Sequence, residues 1–196
     1  MKILIACEFS GVVRDAFIRM GHCATSCDFL PSEREGSHLQ GDVREYLAPQ
    51  WDMMIAFPPC TYLANSGVRW LYGRRGKKID EVDPERWASM QEAARFFKLL
   101  LEAPIPRIAL ENPIMHCHAR EIVGEAPSQV VQPWQFGHGE TKATCFWLRN
   151  LPPLRPTNIV KRRSQRVHFE SPGPDRWKDR IRTLEGMAEA MATQWP

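Results

Sequence analysis

Residues 2–20, KILIACEFSGVVRDAFIRM, carry the pattern on which the fold turns. Lys2 to Ala6 is a short apolar run that stops at the turn-like Glu8-Phe9-Ser10-Gly11. A run this short without polar alternation predicts a buried parallel strand. From Val12 to Met20 the apolar residues Val13, Ala16, Phe17 and Met20 recur at helical spacing, and Gly21 closes the helix.

The alternation continues along the chain. His22 to Cys27 reads as a second strand ending at Asp28, and residues 31–50 are polar and turn-rich. Asp52 to Phe57 reads as a strand stopped by Pro58-Pro59, and residues 62–82 as a loop. Asp83-Pro84 is an N-cap followed by proline at the first helical position, and that helix should run to about Glu102. Arg107 to Leu110 is a strand stopped by Glu111-Asn112-Pro113. Further strands are expected at 128–133 and 144–148, and a last helix from Thr183 to Trp195. Strands alternating with helices predict α/β architecture: one doubly wound, mostly parallel sheet over residues 1–196. Ligands of such sheets bind beyond the carboxyl ends of the strands. Phe9–Gly11, Asp28, Pro58–Cys60 and Glu111–Pro113 all sit at such ends, which points to one site.

The composition, 43% hydrophobic and 25% charged over 196 residues, suits a single core. The first residues lack a signal-peptide pattern and no apolar stretch approaches membrane-spanning length, so a cytoplasmic protein without membrane partners is expected. Six cysteines without a CxxC pair favour thiols over a disulfide frame. The net charge of +3 is uneven. Residues 149–182 hold ten Lys/Arg against three Asp/Glu, a local +7 that leaves −4 on the rest of the chain. A basic segment on an acidic body suits the docking of a polyanion, and equally a solvated loop.

Two tripeptides can carry chemistry. In Pro58-Pro59-Cys60 the prolines fix the backbone leaving a strand and hold a thiol at its tip. Cysteine is the best side-chain nucleophile once ionised, and since a thiol ordinarily titrates near 8.5 a site must help it. A cysteine in such a place can also be a small buried hydrophobe. In Glu111-Asn112-Pro113 a carboxyl at a strand tip can donate a proton if burial raises its pKa, although Asn-Pro is also a common turn. His116-Cys117-His118 has metal-ligand residue types, but their spacing at a helix start would splay the ligands, and a structural role is the expectation, with no metal.

A strand, Pro-Pro-Cys, a long helix, a strand and Glu-Asn-Pro, in that order, resemble the cytosine-C5 DNA methyltransferases, in an abbreviated form like those of phages and prophages. The resemblance extends to Ala6-Cys7-Glu8-Phe9-Ser10-Gly11, which looks like that family's first cofactor loop, to the acidic turn at Asp28, and to Gly41-Asp42-Val43. It also takes in the loop Cys60 to Gly67 and the helical segment Met187 to Ala192. It implies a Rossmann-like methyltransferase fold and S-adenosylmethionine, or a modified sulfonium analogue, as cofactor. It further implies Cys60 as the nucleophile on carbon 6 of cytosine, Glu111 as the proton holder at N3, and Pro59 and Asn112 as their supports. Phe9, Ser10, Gly11, Asp28, Asp42, Val43 and Pro58 would line the cofactor site. The target base would have to leave the stack, or be presented single-stranded.

This chain departs from the family pattern in three places. Gly11 is the lone glycine of the cofactor loop, Lys142 is the sole cation between Gln135 and Phe146 where the family carries Gln-x-Arg-x-Arg, and no separate target-recognition domain is present. Contacts to DNA are therefore expected from Lys142, from the loop with Arg69, Arg74, Arg75, Lys77 and Lys78, and from Lys161, Arg162, Arg163 and Arg166 in the 149–182 insert. Such contacts would mostly position the duplex, unless Arg163 or Arg166 reads a guanine edge. The same chemistry on RNA or a free nucleotide, or a non-catalytic DNA-binding homologue, are the alternatives.

Overall fold

The computed structural model describes residues 1–72, 81–164 and 182–195. The strands are β1 (Lys2–Ala6), β2 (Cys23–Asp28), β3 (His38–Gln40), β4 (Met53–Ala56), β5 (Arg107–Pro113), β6 (Gln129–Val131) and β7 (Thr144–Arg149). The helices are α1 (Val12–Arg19), α2 (Pro84–Leu101), α3 (Cys117–Val123) and α4 (Glu185–Gln194). The strands form one sheet in the order β3-β2-β1-β4-β5-β7-β6. The first five are mutually parallel, while β7 runs antiparallel to both β5 and β6. This is the expected doubly wound, mostly parallel, Rossmann-like α/β sheet.

The unbroken apolar runs of β1 and β4 follow from burial on both faces. Ile3, Ile5, Met53 and Ile55 pack with Val13, Phe17, Met191 and Trp195 of the α1/α4 layer. Leu4, Ala6, Met54 and Ala56 turn the other way, toward Met90, Phe97 and Leu100 of α2 and Ala119 and Val123 of α3. Along β7 the alternation sends Trp147 edge-on against Phe97 (4.9 Å between rings) and Phe146 edge-on against Trp195 (5.7 Å). Helix α4 sits so close that a Cβ on Gly186 would lie 2.0 Å from the carbonyl oxygen of Phe136.

Three local expectations need correction. The polar stretch 31–50 contains the edge strand β3, paired in parallel through Ser26↔His38, Cys27↔Leu39 and Asp28↔Gln40. Residues 65–71, expected as loop, form a 3-10 helix. Strand β5 does not stop at Glu111. It runs through Pro113, because β7 offers partners at Glu111↔Phe146, Asn112↔Cys145 and Pro113↔Thr144. Pro113, which has no N–H to give the ladder, is the last residue paired. Among the described helices, none is long and apolar enough to cross a membrane.

Candidate active site

The pairing Ala56↔Leu110 sets the tips of β4 and β5 side by side, so the segments carrying Cys60 and Glu111 leave the sheet as neighbours. Four hydrogen bonds then stitch them together. The side-chain amide of Asn112 donates to the carbonyl of Pro58 (3.2 Å). The amide of Asn65 donates to the carbonyl of Ile114 (2.7 Å), and that of His116 to the carbonyl of Leu63 (3.0 Å). The His116 ring bonds through Nε2 to the carbonyl of Tyr62 (2.9 Å). Its Nδ1 accepts from the amide of Ala119 and caps α3, which leaves the proton on Nε2. Burial lowers the His116 pKa, in keeping with that neutral ring. His118, by contrast, bonds to the Tyr72 hydroxyl (2.6 Å) and tilts against Trp87, so both histidines of this motif join loops to helices.

Cys60 is partly exposed and opens a turn in which its carbonyl accepts from the amides of Leu63 (3.0 Å) and Ala64 (2.9 Å). Pro59, just before it, is exposed. None of the six cysteines forms a disulfide. Burial pushes the Glu111 carboxyl above the ordinary carboxylate range, opposed in part by the charge of Lys142. Asn112 is wholly buried, and its Oδ1 has no hydrogen-bond partner among the described residues. Cys145, opposite Asn112 across the ladder, has its thiol pushed up to about 11 by burial and then by the negative charge of Glu111.

The second half of the site lies at the tips of β1, β2 and β3. Cys7 takes a left-handed backbone (φ 56°), a conformation rare outside glycine. Its thiol is raised by burial and next by the charge of Asp28, with Cys27 and Asp42 adding to the effect. Asp28 is itself raised by burial, and its Oδ1 accepts from the amide of Leu30 (2.9 Å). Asp42 caps the 3-10 turn 43–46 and pairs with Arg44, which lowers its pKa. Val43 is buried in the α2-side core.

Phe9, Ser10 and Gly11 form a buried loop. The carbonyl of Phe9 accepts from the amide of Glu33 (2.9 Å), and the Ser10 hydroxyl donates to Glu8 (2.8 Å). Gly11 is left-handed (φ 72°), and a Cβ there would lie 2.7 Å from Arg14 Nη2.

Two residues here were given no individual role by the sequence, Glu8 in the loop and Arg14 in α1. Glu8 is only 4% exposed and sits at the start of α1, where its Oε1 also accepts from the amide of Val13 (3.0 Å). Its Oε2 has no partner among the described residues, and burial raises its pKa. Arg14 is fully buried. It bonds to Asp15 Oδ1 (2.9 Å), the hydroxyls of Ser26 (3.3 Å) and Ser32 (3.0 Å), and the carbonyls of Arg34 (3.2 Å) and Glu35 (2.8 Å). The loop it holds is fastened to the far end of the chain by Arg34–Glu185 (2.6 Å) and Glu33–Arg182 (2.7 Å).

This donor set fits a nucleoside cofactor. A helix amino-terminus in an α/β sheet attracts phosphate, and here the carboxyl of Glu8 fills that position. Asp28 and Asp42 add acceptors for hydroxyl and amino groups and repel phosphate, while a sulfonium cation is favoured beside them.

The basic residues separate into groups. Arg149 bonds to the carbonyls of Leu101, Ala103 and Ile105 at the end of α2, and Arg182 holds Glu33, so two charges of the 149–182 segment serve the fold. The charge of Lys142 acts on Glu111. Arg69 covers the ring of exposed Trp70 (4.7 Å). Lys161, Arg162 and Arg163 are exposed. Arg74, Arg75, Lys77, Lys78 and Arg166 lie outside the described residues.

No protein-family model and no curated protein sequence matches the chain. Among solved structures it is similar to the Entamoeba histolytica methyltransferase EhMeth, with a TM-score of 0.48 and 15% identity over 88% of this chain and 60% of that one. It is also similar to S. pombe Dnmt2 methyltransferase (TM-score 0.45, 14% identity, 89% and 57% covered). A variant of Spodoptera frugiperda DNMT2 gives a TM-score of 0.40 at 17% identity, with 81% and 54% covered. The chain thus spans a little over half the length of each of these structures.

Proposed function

We propose that this protein transfers a methyl or related group from S-adenosylmethionine, or a modified sulfonium analogue, to carbon 5 of cytosine in DNA. The observation that carries this reading is the hydrogen-bonded junction of the two motif loops. It joins a partly exposed thiol to a carboxyl whose pKa burial raises.

The chemistry follows from what each group can do. The Cys60 sulfur, as thiolate, bonds to carbon 6 of the ring. Glu111 holds its proton at N3, where the negative charge of that addition collects, and the ring becomes an enamine nucleophilic at carbon 5. When bound, the cofactor supplies an electrophilic carbon on a sulfonium and departs as a neutral thioether. Loss of the carbon 5 proton to a base then re-forms the ring double bond and expels Cys60 as thiolate. Asn112 fixes the relative position of the two loops through Pro58, and Lys142 holds Glu111 short of an even higher pKa. Asp28 and Asp42 bind the nucleoside half of the cofactor. Lys161 and Arg162, with Arg69, meet phosphates.

DNA containing 5-fluorocytosine tests the assignment, because fluorine at carbon 5 cannot leave as a proton and the adduct persists. In the presence of S-adenosylmethionine the wild-type protein should form a denaturation-resistant complex, and folded Cys60→Ala none. An adduct with Cys60→Ala would refute the role of Cys60. Duplex DNA, single strands, RNA and free nucleotide compared as acceptors identify the substrate.

A further inference from the structure

The guanidinium of Arg163 stacks over the indole of Trp134, 3.7 Å from the ring centroid. Both neighbouring stretches of backbone are fastened. The amide of Val160 donates to the carbonyl of Trp134 (2.8 Å) and that of Ser164 to the carbonyl of Gly139 (2.8 Å). Trp134 itself lies in a 3-10 turn closed by a reciprocal cap between Gln132 and Gln135. Among the described residues the guanidinium of Arg163 makes no ion pair and no hydrogen bond, and its recorded contact is the Trp134 ring. The carbonyl of Ser164 accepts from the amide of Thr141 (3.0 Å), the residue before Lys142, whose charge reaches Glu111. One backbone bridge therefore connects the Arg163 segment to the segment at the mouth of the site.

An arginine that only screens phosphate needs no such scaffold, since a flexible chain serves as well. A stacked, restrained guanidinium has lost its rotamer freedom in advance and presents a fixed planar fork. The nucleic-acid group that matches that fork is the O6/N7 edge of guanine. Building on the proposed function, we infer that Arg163, held by Trp134, reads a guanine flanking the target cytosine in duplex DNA. The recognition task is thereby assigned to a two-residue stack on the sheet's β6–β7 side. Trp134 acts as the positioning residue, and the fork makes the contact.

Two measurements on the full chain test this. In the first, modified cytosines are sequenced after reaction with a duplex pool randomised on both sides of the target. Wild type should prefer guanine at one flanking position. Arg163→Lys, which keeps the charge and loses the fork, should drop that preference about tenfold, as should Trp134→Ala, with other positions unaffected. Absence of any guanine preference in wild type, or an equal loss on all sequences in the variants, would overturn the inference. In the second, fluorescent duplexes with guanine at each flanking position are titrated against copies in which 7-deazaguanine replaces each guanine in turn. One replacement should weaken wild-type binding about tenfold and leave Arg163→Lys unchanged. Binding indifferent to every 7-deaza replacement would overturn the inference even where transfer occurs. A position-specific 7-deaza effect without base modification would instead uphold the reader and sink the proposed transferase.

Discussion

The side-chain amide of Asn112 reaches across the tips of two parallel strands to the carbonyl of Pro58, 3.2 Å away. This bond joins the strand that carries the acid to the turn that carries the thiol, and it is buried from end to end. Asn112→Ala removes the donor and leaves the Pro58 carbonyl unsatisfied. A loss of about 1–3 kcal/mol in stability is expected, measurable by chemical denaturation. If the bond also sets geometry, the 5-fluorocytosine adduct should form more slowly in this variant while cofactor affinity stays at the wild-type value.

The raised pKa of Glu111 makes a signed prediction. The folded protein holds this proton at pH values where the unfolded chain, with an ordinary glutamate, has released it. Stability from this group is therefore full below the unfolded pKa and falls as pH rises toward the folded one. Glu111→Gln removes that dependence, so its melting temperature should gain on wild type as the buffer moves from pH 5 to pH 8. Glu8 contributes a slope of the same sign and remains in both proteins. The variant should lose about 10²–10⁴-fold in product formation, the range for removing a general acid. A melting difference independent of pH would show that Glu111 is not protonated in the folded state.

Asp42 has two claimants. Arg44 holds its carboxylate through both a backbone amide (3.0 Å) and the guanidinium. If the carboxylate also takes the adenine amine, Asp42→Ala should weaken S-adenosylmethionine binding about tenfold or more, from the loss of a charged hydrogen bond. Arg44→Ala should leave that affinity intact or improve it. Calorimetric titration of both variants checks the pair, and an affinity loss in Arg44→Ala alone would assign the contact to arginine.

Gly186 is placed where any side chain collides with backbone. A methyl there would lie 2.0 Å from the Phe136 oxygen, and the glycine amide donates to His138 Nε2 (2.9 Å). Gly186→Ala should destabilise the protein by about 1–3 kcal/mol or more, because backbone on both sides must move. Ala188, two residues further along the same helix and buried against the α1/α4 core, gives the control: Ala188→Gly should cost only about 1 kcal/mol.

Much of this was legible in the chain. The runs 3–6 and 53–56 announce strands covered on both faces, and Asp83-Pro84 marks the start of α2 within a residue. The two motif tripeptides identified neighbouring strand tips. What stayed hidden depends on partners remote in sequence. Strand β3 needs one apolar residue, Leu39, because it is a three-residue edge, so no periodic pattern exists to detect. The extension of β5 through Pro113 depends on β7. Arg14 reads as a solvated helix residue, and its burial becomes possible only because the loop 32–35 returns with two carbonyls and a hydroxyl. Glu8 looks like a turn residue until the first turn of α1, whose Val13 amide it accepts, is in place.

The packing of α4 against α1 also bears on how the molecule is made. These helices share one apolar layer although they come from opposite ends of the described chain. During synthesis, Val13 and Phe17 emerge early and wait, uncovered, until Met187 and Met191 follow. The central strand β1 must likewise await β4 for its second neighbour. Long-range closure of this kind slows folding and exposes sticky surface meanwhile. The ion pairs Arg34–Glu185 and Glu33–Arg182 span the same seam, and opposite charges there favour a swift and correctly registered arrival of the late helix.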